Sequence, residues 1–77
     1  MGLFIFSMKL SIIGVGAMGG AMLDGFLQSG KFQASDLYIS NPHTERLAAY
    51  AEQGVKVSSD NRTAAVWGDI VFVVVKP

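Results

Sequence analysis

Residues 9–22 of the chain are KLSIIGVGAMGGAM, a short apolar run that leads into closely spaced glycines. The run from Lys9 to Ile13 has strand length and ends at a glycine, which is typical of a parallel strand buried in a sheet. After the glycines, apolar residues recur every three or four positions, which predicts a helix from Met18 to Ser29 with Gly30 at its end. The apolar face of that helix is predicted to consist of Met18, Ala21, Met22 and Phe26.

A second strand–helix unit follows along the chain. Asp36 to Ser40 is predicted to be the strand, and Asn41-Pro42 after it is a helix-start signal, with an N-cap residue and a proline at the first helical position. Gly54 is expected to end this helix. The face of the helix that packs on the sheet is predicted to include Leu47, Tyr50 and Ala51.

The last part of the chain predicts two further strands around a short helix. Val55 to Ser58 is the third strand, and Asp60-Asn61 caps a helix that runs to Val66 or Trp67. Ile70 to Val75 is an unbroken apolar run, which is typical of a strand buried on both faces.

The order βαβαβαβ with short connections predicts an α/β fold, a Rossmann-type doubly wound parallel sheet. Residues 1–7 are expected to be an N-terminal extension, and residues 8–77 the N-terminal portion of an NAD(P)-binding domain. Because such a domain normally continues beyond its fourth strand, we expect the chain to be an N-terminal fragment.

Gly14, Gly16 and Gly19 form the pattern G-x-G-x-x-G between the first strand and the first helix. The first glycine permits a tight turn, the second lets the backbone approach a pyrophosphate, and the third lets the helix lie close to the sheet. The diphosphate is expected to bind the free N–H groups at the positive end of the helix. A glycine-rich turn used only for packing, or the related loop of methyltransferases, would have a similar pattern. The strand–turn–helix context favours a dinucleotide site.

The end of the second strand bears on the choice between NADP and NAD. NAD sites usually carry a carboxylate there for the ribose 2′-hydroxyl, whereas the segment after Ser40 and Asn41 has none before Glu45. A 2′-phosphate is therefore expected to be accepted by hydroxyl and amide groups, so NADP is favoured and NAD remains possible. Arg46 is more simply interpreted as part of a solvated helix face, and His43 as a surface residue near the 2′ position rather than an acid–base catalyst.

Composition excludes several other classes of function. Six basic and six acidic residues balance without a basic cluster, so nucleic acid is not expected as a partner, and no membrane-length apolar segment is present. The chain has no cysteine, which fits a cytoplasmic location and leaves no thiolate metal site. Neither paired acids, nor a metal-ligand cluster, nor a Ser-His-Asp set can be assembled, so no catalytic residue is predicted.

The sequence from Met8 to Met22 resembles the opening of pyrroline-5-carboxylate reductases. The resemblance extends through Gly54-Val55-Lys56-Val57 and Ser59-Asp60-Asn61 to the closing Val74-Val75-Lys76-Pro77. It implies NAD(P)H-dependent reduction of the imine 1-pyrroline-5-carboxylate to L-proline, an oxidoreductase reaction of proline biosynthesis on a C–N bond. The family commonly has Arg or Ser directly after the second strand, where this chain has Asn41-Pro42.

The resemblance also implies a set of cofactor-binding residues. The segment from Ile13 to Met18 would line the pyrophosphate, Asn41 would face the adenosine ribose, and Asn61 would reach the adenine side. The closing residues would pass under the nicotinamide half. Together with the glycine pattern and the end of the second strand, the expected cofactor-binding residues are Ile13, Gly14, Val15, Gly16, Ala17, Met18, Gly19, Ser40, Asn41, Asn61, Val74, Val75, Lys76 and Pro77.

The family's C-terminal helical domain, which supplies the dimer contacts and the substrate pocket, is absent from these 77 residues. We therefore expect the fragment alone to be inactive, and we expect homo-oligomers because the fourth strand would expose an apolar edge. Two alternatives remain open at this point. One is the N-terminal part of a β-hydroxyacid-dehydrogenase-like enzyme, and the other is a nucleotide-binding module without catalysis.

Overall fold

The structure, a computed structural model, describes residues 8–14 and 17–74. The predicted extension, and the predicted site residues Val15, Gly16, Val75, Lys76 and Pro77, lie outside these residues. The elements in chain order are β1 (Leu10–Ile13), α1 (Ala17–Gln28), β2 (Leu37–Ser40), α2 (Ala48–Glu52), β3 (Lys56–Ser58), α3 (Asn61–Trp67) and β4 (Ile70–Val73). Short 3-10 turns at Ala34–Asp36 and Thr44–Leu47 precede β2 and α2.

The four strands form one parallel sheet in the order β3-β2-β1-β4. This order is one half of the doubly wound arrangement, in which the chain reverses its direction of travel across the sheet between β1 and β4. The predicted Rossmann-type fold is therefore confirmed. The reversal matters for function because it opens a crevice at the carboxyl ends of these two strands.

The two faces of the sheet are covered by different helices. Alternate residues of the central strands β1 and β2 point to one face, where they pack with Leu23 of α1 and Leu47. The other face lies under α3, where Ser11 contacts Ala64 and Tyr38 packs on Trp67 with ring centroids 5.5 Å apart. Helices on both faces are what the predicted continuous apolar strands require.

The buried face of α1 differs from the predicted one. Leu23 is fully buried at 0% exposure, Met22 and Phe26 are only partly buried, and Ala21 is exposed. The predicted residues Met22 and Phe26 do pack against the core, but the buried face also includes Leu23 and Leu27, so its centre lies about one residue later than predicted. The glycines at the start of the helix carry no side chain, so the spacing of the apolar residues did not define well which face of the helix turns toward the sheet.

The second helix also begins later than Asn41-Pro42 predicted. The backbone N–H of Asn41 donates to the Ser58 carbonyl at 3.0 Å, which continues the sheet pairing by one residue. The Asn41 side chain then accepts from the His43 N–H at 3.0 Å and closes a local turn. Helical structure starts only at Thr44, so Asn41 caps a turn and not a helix.

Strand β4 is less buried than its sequence predicted. In the described part of the chain it pairs only with β1 and lies at the edge of the sheet. Ile70 is 41% exposed and Val73 64% exposed. The prediction of a strand buried on both faces is wrong for these two residues, whereas the apolar edge expected of the fourth strand is present. Apolar β-branched composition indicates what a strand can pack against, but it does not show which neighbours the strand has.

The N-terminus of α3 follows the prediction closely. Asp60 is the N-cap, and its Oδ1 accepts from the N–H groups of Arg62 at 2.9 Å and Thr63 at 3.2 Å. Its Oδ2 accepts from the Thr63 hydroxyl at 2.9 Å. The Thr63 hydroxyl is the main cause of a pKa of Asp60 below its ordinary value of 3.8, and the two N–H groups lower that pKa further.

This capping predicts a specific acid sensitivity. Because the pKa of Asp60 is lowered in the folded chain, its carboxylate stabilises the fold above pH 3.8 and this contribution is lost as the pH falls through the lowered pKa. Asp60→Asn should flatten this part of the pH dependence, measured as the free energy of urea unfolding between neutral pH and pH 2. Thr63→Val should shift the loss to higher pH, and an unchanged profile in both variants would contradict the assignment.

Candidate dinucleotide site

Three neighbouring strands end together at the carboxyl edge of the sheet. The Gly14 N–H after β1 donates to the Ser40 carbonyl of β2 at 3.0 Å, and the Val74 N–H after β4 donates to the Ile13 carbonyl at 2.8 Å. These bonds extend the parallel pairing beyond the strands and fix the first residue of the glycine-rich turn between its neighbours. The predicted site residues Ile13, Gly14, Ser40 and Val74 thus lie at one edge.

Gly14 occupies a position that no other residue would fit. Its φ of +87° is in the left-handed region, which side chains with a β-carbon rarely adopt. A β-carbon built there would overlap the Val74 carbonyl oxygen and lie 3.3 Å from the Val74 carbonyl carbon. The sequence predicted a tight turn at Gly14, and the structure adds the close approach of the β4 backbone. The space that this β-carbon would fill lies at the reversal point between β1 and β4.

Helix α1 begins at Ala17, shortly after that turn, and is 12 residues long. The first four N–H groups of a helix have no partner within it, so this end offers several backbone donors and a partial positive charge. The first turn carries no acidic residue that would repel an anion. Backbone positions of Ala17, Met18 and Gly19 therefore suit a phosphate group, while their side chains lie outside what the structure describes.

Gly20 lies close to α2, whereas the close approach of the helix to the sheet predicted for Gly19 stays a prediction. A β-carbon at Gly20 would lie 3.4 Å from the Tyr50 hydroxyl oxygen of α2, and that hydroxyl donates to the Gly20 carbonyl at 3.4 Å. Burial, together with the neighbouring Asp24 carboxylate, raises the pKa of Tyr50. This role of Gly20 was not predicted, although two consecutive glycines in a helix indicate that the helix approaches a neighbour.

Ser40 and Asn61 are joined directly. The Ser40 side chain is fully buried at the end of β2, and its hydroxyl donates to Asn61 Oδ1 at 2.6 Å. Asn61 is the first residue of α3 and is exposed. The two residues were predicted as separate contacts of the adenosine half, and the structure brings them together as one unit.

The segment after Ser40 begins with a buried amide and continues with exposed side chains. Asn41 is 4% exposed, and its Oδ1 is occupied by the His43 N–H. The side chains of His43 and Glu45 are 67% and 74% exposed, with His43 Nδ1 3.5 Å from Glu45 Oε1. This contact is an ion pair only when the imidazole is protonated. The Arg46 side chain lies outside the described residues.

Among the described residues, no group of three or more His, Cys, Asp or Glu side chains converges as metal ligands would. Within 8–14 and 17–74, no helix has the length and apolar character needed to cross a membrane.

The chain is similar over most of its length to known reductases. It is 39% identical over 72 residues to pyrroline-5-carboxylate reductase from Staphylococcus aureus, covering 91% of this chain and 27% of that protein. The solved structure of a pyrroline-5-carboxylate reductase from Coxiella burnetii superposes with a TM-score of 0.82 at 26% identity, covering 94% of this chain and 27% of the other. These similarities confirm the resemblance predicted from the sequence. The chain spans about a quarter of the length of the curated relatives it matches.

A second structural relative is an imine reductase from Myxococcus stipitatus, solved as a variant in complex with NAD+. It superposes with a TM-score of 0.72 at 31% identity, covering 88% of this chain and 22% of the other. The family model described as NADP oxidoreductase, coenzyme F420-dependent, matches residues 9–77. Since that match includes the glycine-rich turn and all four strands, the chain belongs to the NADP oxidoreductase, coenzyme F420-dependent, family.

Proposed function

We propose that the chain is the dinucleotide-binding part of a pyrroline-5-carboxylate reductase, which reduces 1-pyrroline-5-carboxylate to L-proline with NAD(P)H. The observation that carries the proposal is Gly14, held at a φ of +87° against the Val74 carbonyl where the strand order reverses. A β-carbon would close that corner, and the amino end of α1 begins beside it. The similarity to reductases over about nine-tenths of the chain supports the same conclusion.

The proposed binding mode divides the site into three parts. The pyrophosphate binds backbone groups of the segment from Ile13 to Gly19, the adenosine half binds near Ser40, Asn41 and Asn61, and the nicotinamide half passes over Val74 to Pro77. When bound, the nicotinamide supplies the hydride for imine reduction. The chain's own residues orient the dinucleotide, because backbone donors and exposed polar groups such as the Asn61 amide hold it in one geometry.

We further propose that NADPH is preferred over NADH. No carboxylate directly follows β2 in the sequence, and Glu45, the first one after it, is exposed and lies 3.5 Å from His43. The Ser40 hydroxyl and the amides of Asn41 and Asn61 at this edge carry no negative charge, so they do not repel a 2′-phosphate. The cytoplasmic location and the homo-oligomer predicted from the sequence stay predictions.

The central test is binding of ADP-ribose, which carries the pyrophosphate and the adenosine but not the nicotinamide. Gly14→Ala should weaken its binding by roughly tenfold or more, because the new β-carbon displaces the Val74 backbone and reshapes the pyrophosphate corner. Isothermal titration calorimetry measures the dissociation constant. Gly30→Ala is the matched control, since Gly30 also has a positive φ of +75° but a β-carbon there would meet nothing within 4 Å.

The left-handed conformation is expected to cost each variant about 1–2 kcal/mol of folding free energy, and Gly14→Ala should lose more stability than Gly30→Ala because its β-carbon also overlaps the Val74 carbonyl. Only Gly14→Ala should affect the ligand. Equal binding by the two variants, or no binding by the unaltered chain, would refute the proposed site.

The cofactor preference is tested with the 2′-phosphorylated form of ADP-ribose. We expect it to bind roughly tenfold more tightly than ADP-ribose, because hydrogen bonds to a charged phosphate are stronger than those to a hydroxyl. The difference should shrink as salt is raised from 50 to about 500 mM. Tighter binding of ADP-ribose itself would reverse the assignment to NADH.

The 77-residue chain alone is expected to show no reductase activity. Its sequence offers no set of catalytic residues, and it corresponds to only 27% of the Staphylococcus aureus relative. The assay follows NADPH absorbance in the presence of 1-pyrroline-5-carboxylate. Turnover that copurifies with the chain and disappears in Gly14→Ala would contradict this prediction.

A further inference from the structure

The Ser40 hydroxyl and the Asn61 amide form a contact whose direction has a chemical consequence. Ser40 is fully buried, and its hydroxyl donates to Asn61 Oδ1 across 2.6 Å. An asparagine side chain has one acceptor oxygen and one NH2 group with two donors. Since the oxygen faces the sheet, the NH2 group is the part of Asn61 left to face outward.

The amide cannot easily turn over. In the described residues, every buried side-chain nitrogen or oxygen has a hydrogen-bond partner, and rotation of Asn61 would take the acceptor away from the Ser40 hydroxyl. A buried hydroxyl without its acceptor is energetically costly. The Ser40 side chain therefore holds the Asn61 amide in one orientation.

The backbone of Asn61 is fixed independently. The Asp60 N–H donates to the Ser58 hydroxyl at 2.8 Å, and the Asp60 carboxylate caps α3 through Arg62 and Thr63. Ser58 lies opposite Ser40 in the sheet register. Contacts with β3 thus hold the main chain of Asn61, and Ser40 of β2 holds its side chain. The NH2 group therefore has a fixed direction before a ligand binds.

We propose that Ser40 is a positioning residue for dinucleotide binding, and that it acts by presenting the Asn61 NH2 group to a hydrogen-bond acceptor on the adenosine half. This inference rests on the proposed function. It changes the role first predicted for Ser40, which was direct contact with the cofactor, because a fully buried hydroxyl that donates to Asn61 is not exposed to a ligand. The acceptor is a ribose oxygen, a ring nitrogen or a 2′-phosphate oxygen.

The first test is Ser40→Ala, with ADP-ribose binding measured by calorimetry. Affinity should fall by about threefold to tenfold, the range expected when one hydrogen bond is lost or misdirected. Ser11→Ala is the matched control, because Ser11 is also a fully buried strand serine whose hydroxyl donates 2.6 Å to α3, in this case to the Ala64 carbonyl. Ser11→Ala should lower stability but leave the dissociation constant unchanged. Equal loss of affinity in Ser40→Ala and Ser11→Ala would show that Ser40 has only a structural role and would overturn the proposal.

The second test is a double-mutant cycle. Asn61→Ala should weaken ADP-ribose binding, and addition of Ser40→Ala should weaken it no further, because Ser40 acts only through Asn61. Independent, additive losses would overturn the proposal.

The third test separates the donor from the acceptor and does not require substitution of a buried residue. Asn61→Asp keeps an acceptor for Ser40 but has no N–H to offer, so it should bind ADP-ribose at least as poorly as Asn61→Ala. Binding equal to that of the unaltered chain would show that the amide direction is wrong. If the unaltered chain binds no ADP-ribose, the proposed function itself fails, whereas normal binding that is insensitive to Ser40 and Asn61 overturns only this inference.

Discussion

The whole arrangement depends on one contact, in which a glycine lies against the backbone of a strand that is distant in the sequence. Gly14 lies directly against the Val74 carbonyl, and its own N–H is bonded to Ser40 at 3.0 Å. This single position therefore holds together the ends of β1, β2 and β4. Any β-carbon would force β4 away from β1 and would occupy the corner that faces the amino end of α1. The sheet geometry and the proposed diphosphate site consequently share one steric requirement.

The helix α3 is attached to the sheet by two buried serines with different consequences. Ser11 bonds a backbone carbonyl in the middle of the helix, whereas Ser40 bonds a side chain at its first residue. The Ser11 bond fixes where the helix lies on the sheet. The Ser40 bond fixes which group of the Asn61 side chain faces outward. Gly68 makes this close approach possible, because a β-carbon there would lie 2.9 Å from the Ser11 β-carbon.

The sequence predicted the features that depend on local chemistry and missed those that depend on distant neighbours. The tight turn at Gly14, the Asp60 cap and the strand–helix order follow from backbone geometry and periodicity, and they were predicted correctly. The rotation of α1 toward Leu23 and the late start of α2 depend on which surfaces meet after folding. The bond between Ser40 and Asn61 spans 21 positions, and two polar residues so far apart carry no periodic signal.

Under the proposed function, position 61 would serve both folding and cofactor binding. Replacing Asn61 by a residue without an acceptor leaves the hydroxyl of Ser40 unpaired inside the sheet, which costs about 1–3 kcal/mol in a fold of marginal stability. Variants that fold poorly would therefore be lost before any effect of the substitution on cofactor preference is seen. Drift toward a different dinucleotide at this position would have to be accompanied by a change at Ser40, so the two residues are expected to covary among homologous sequences.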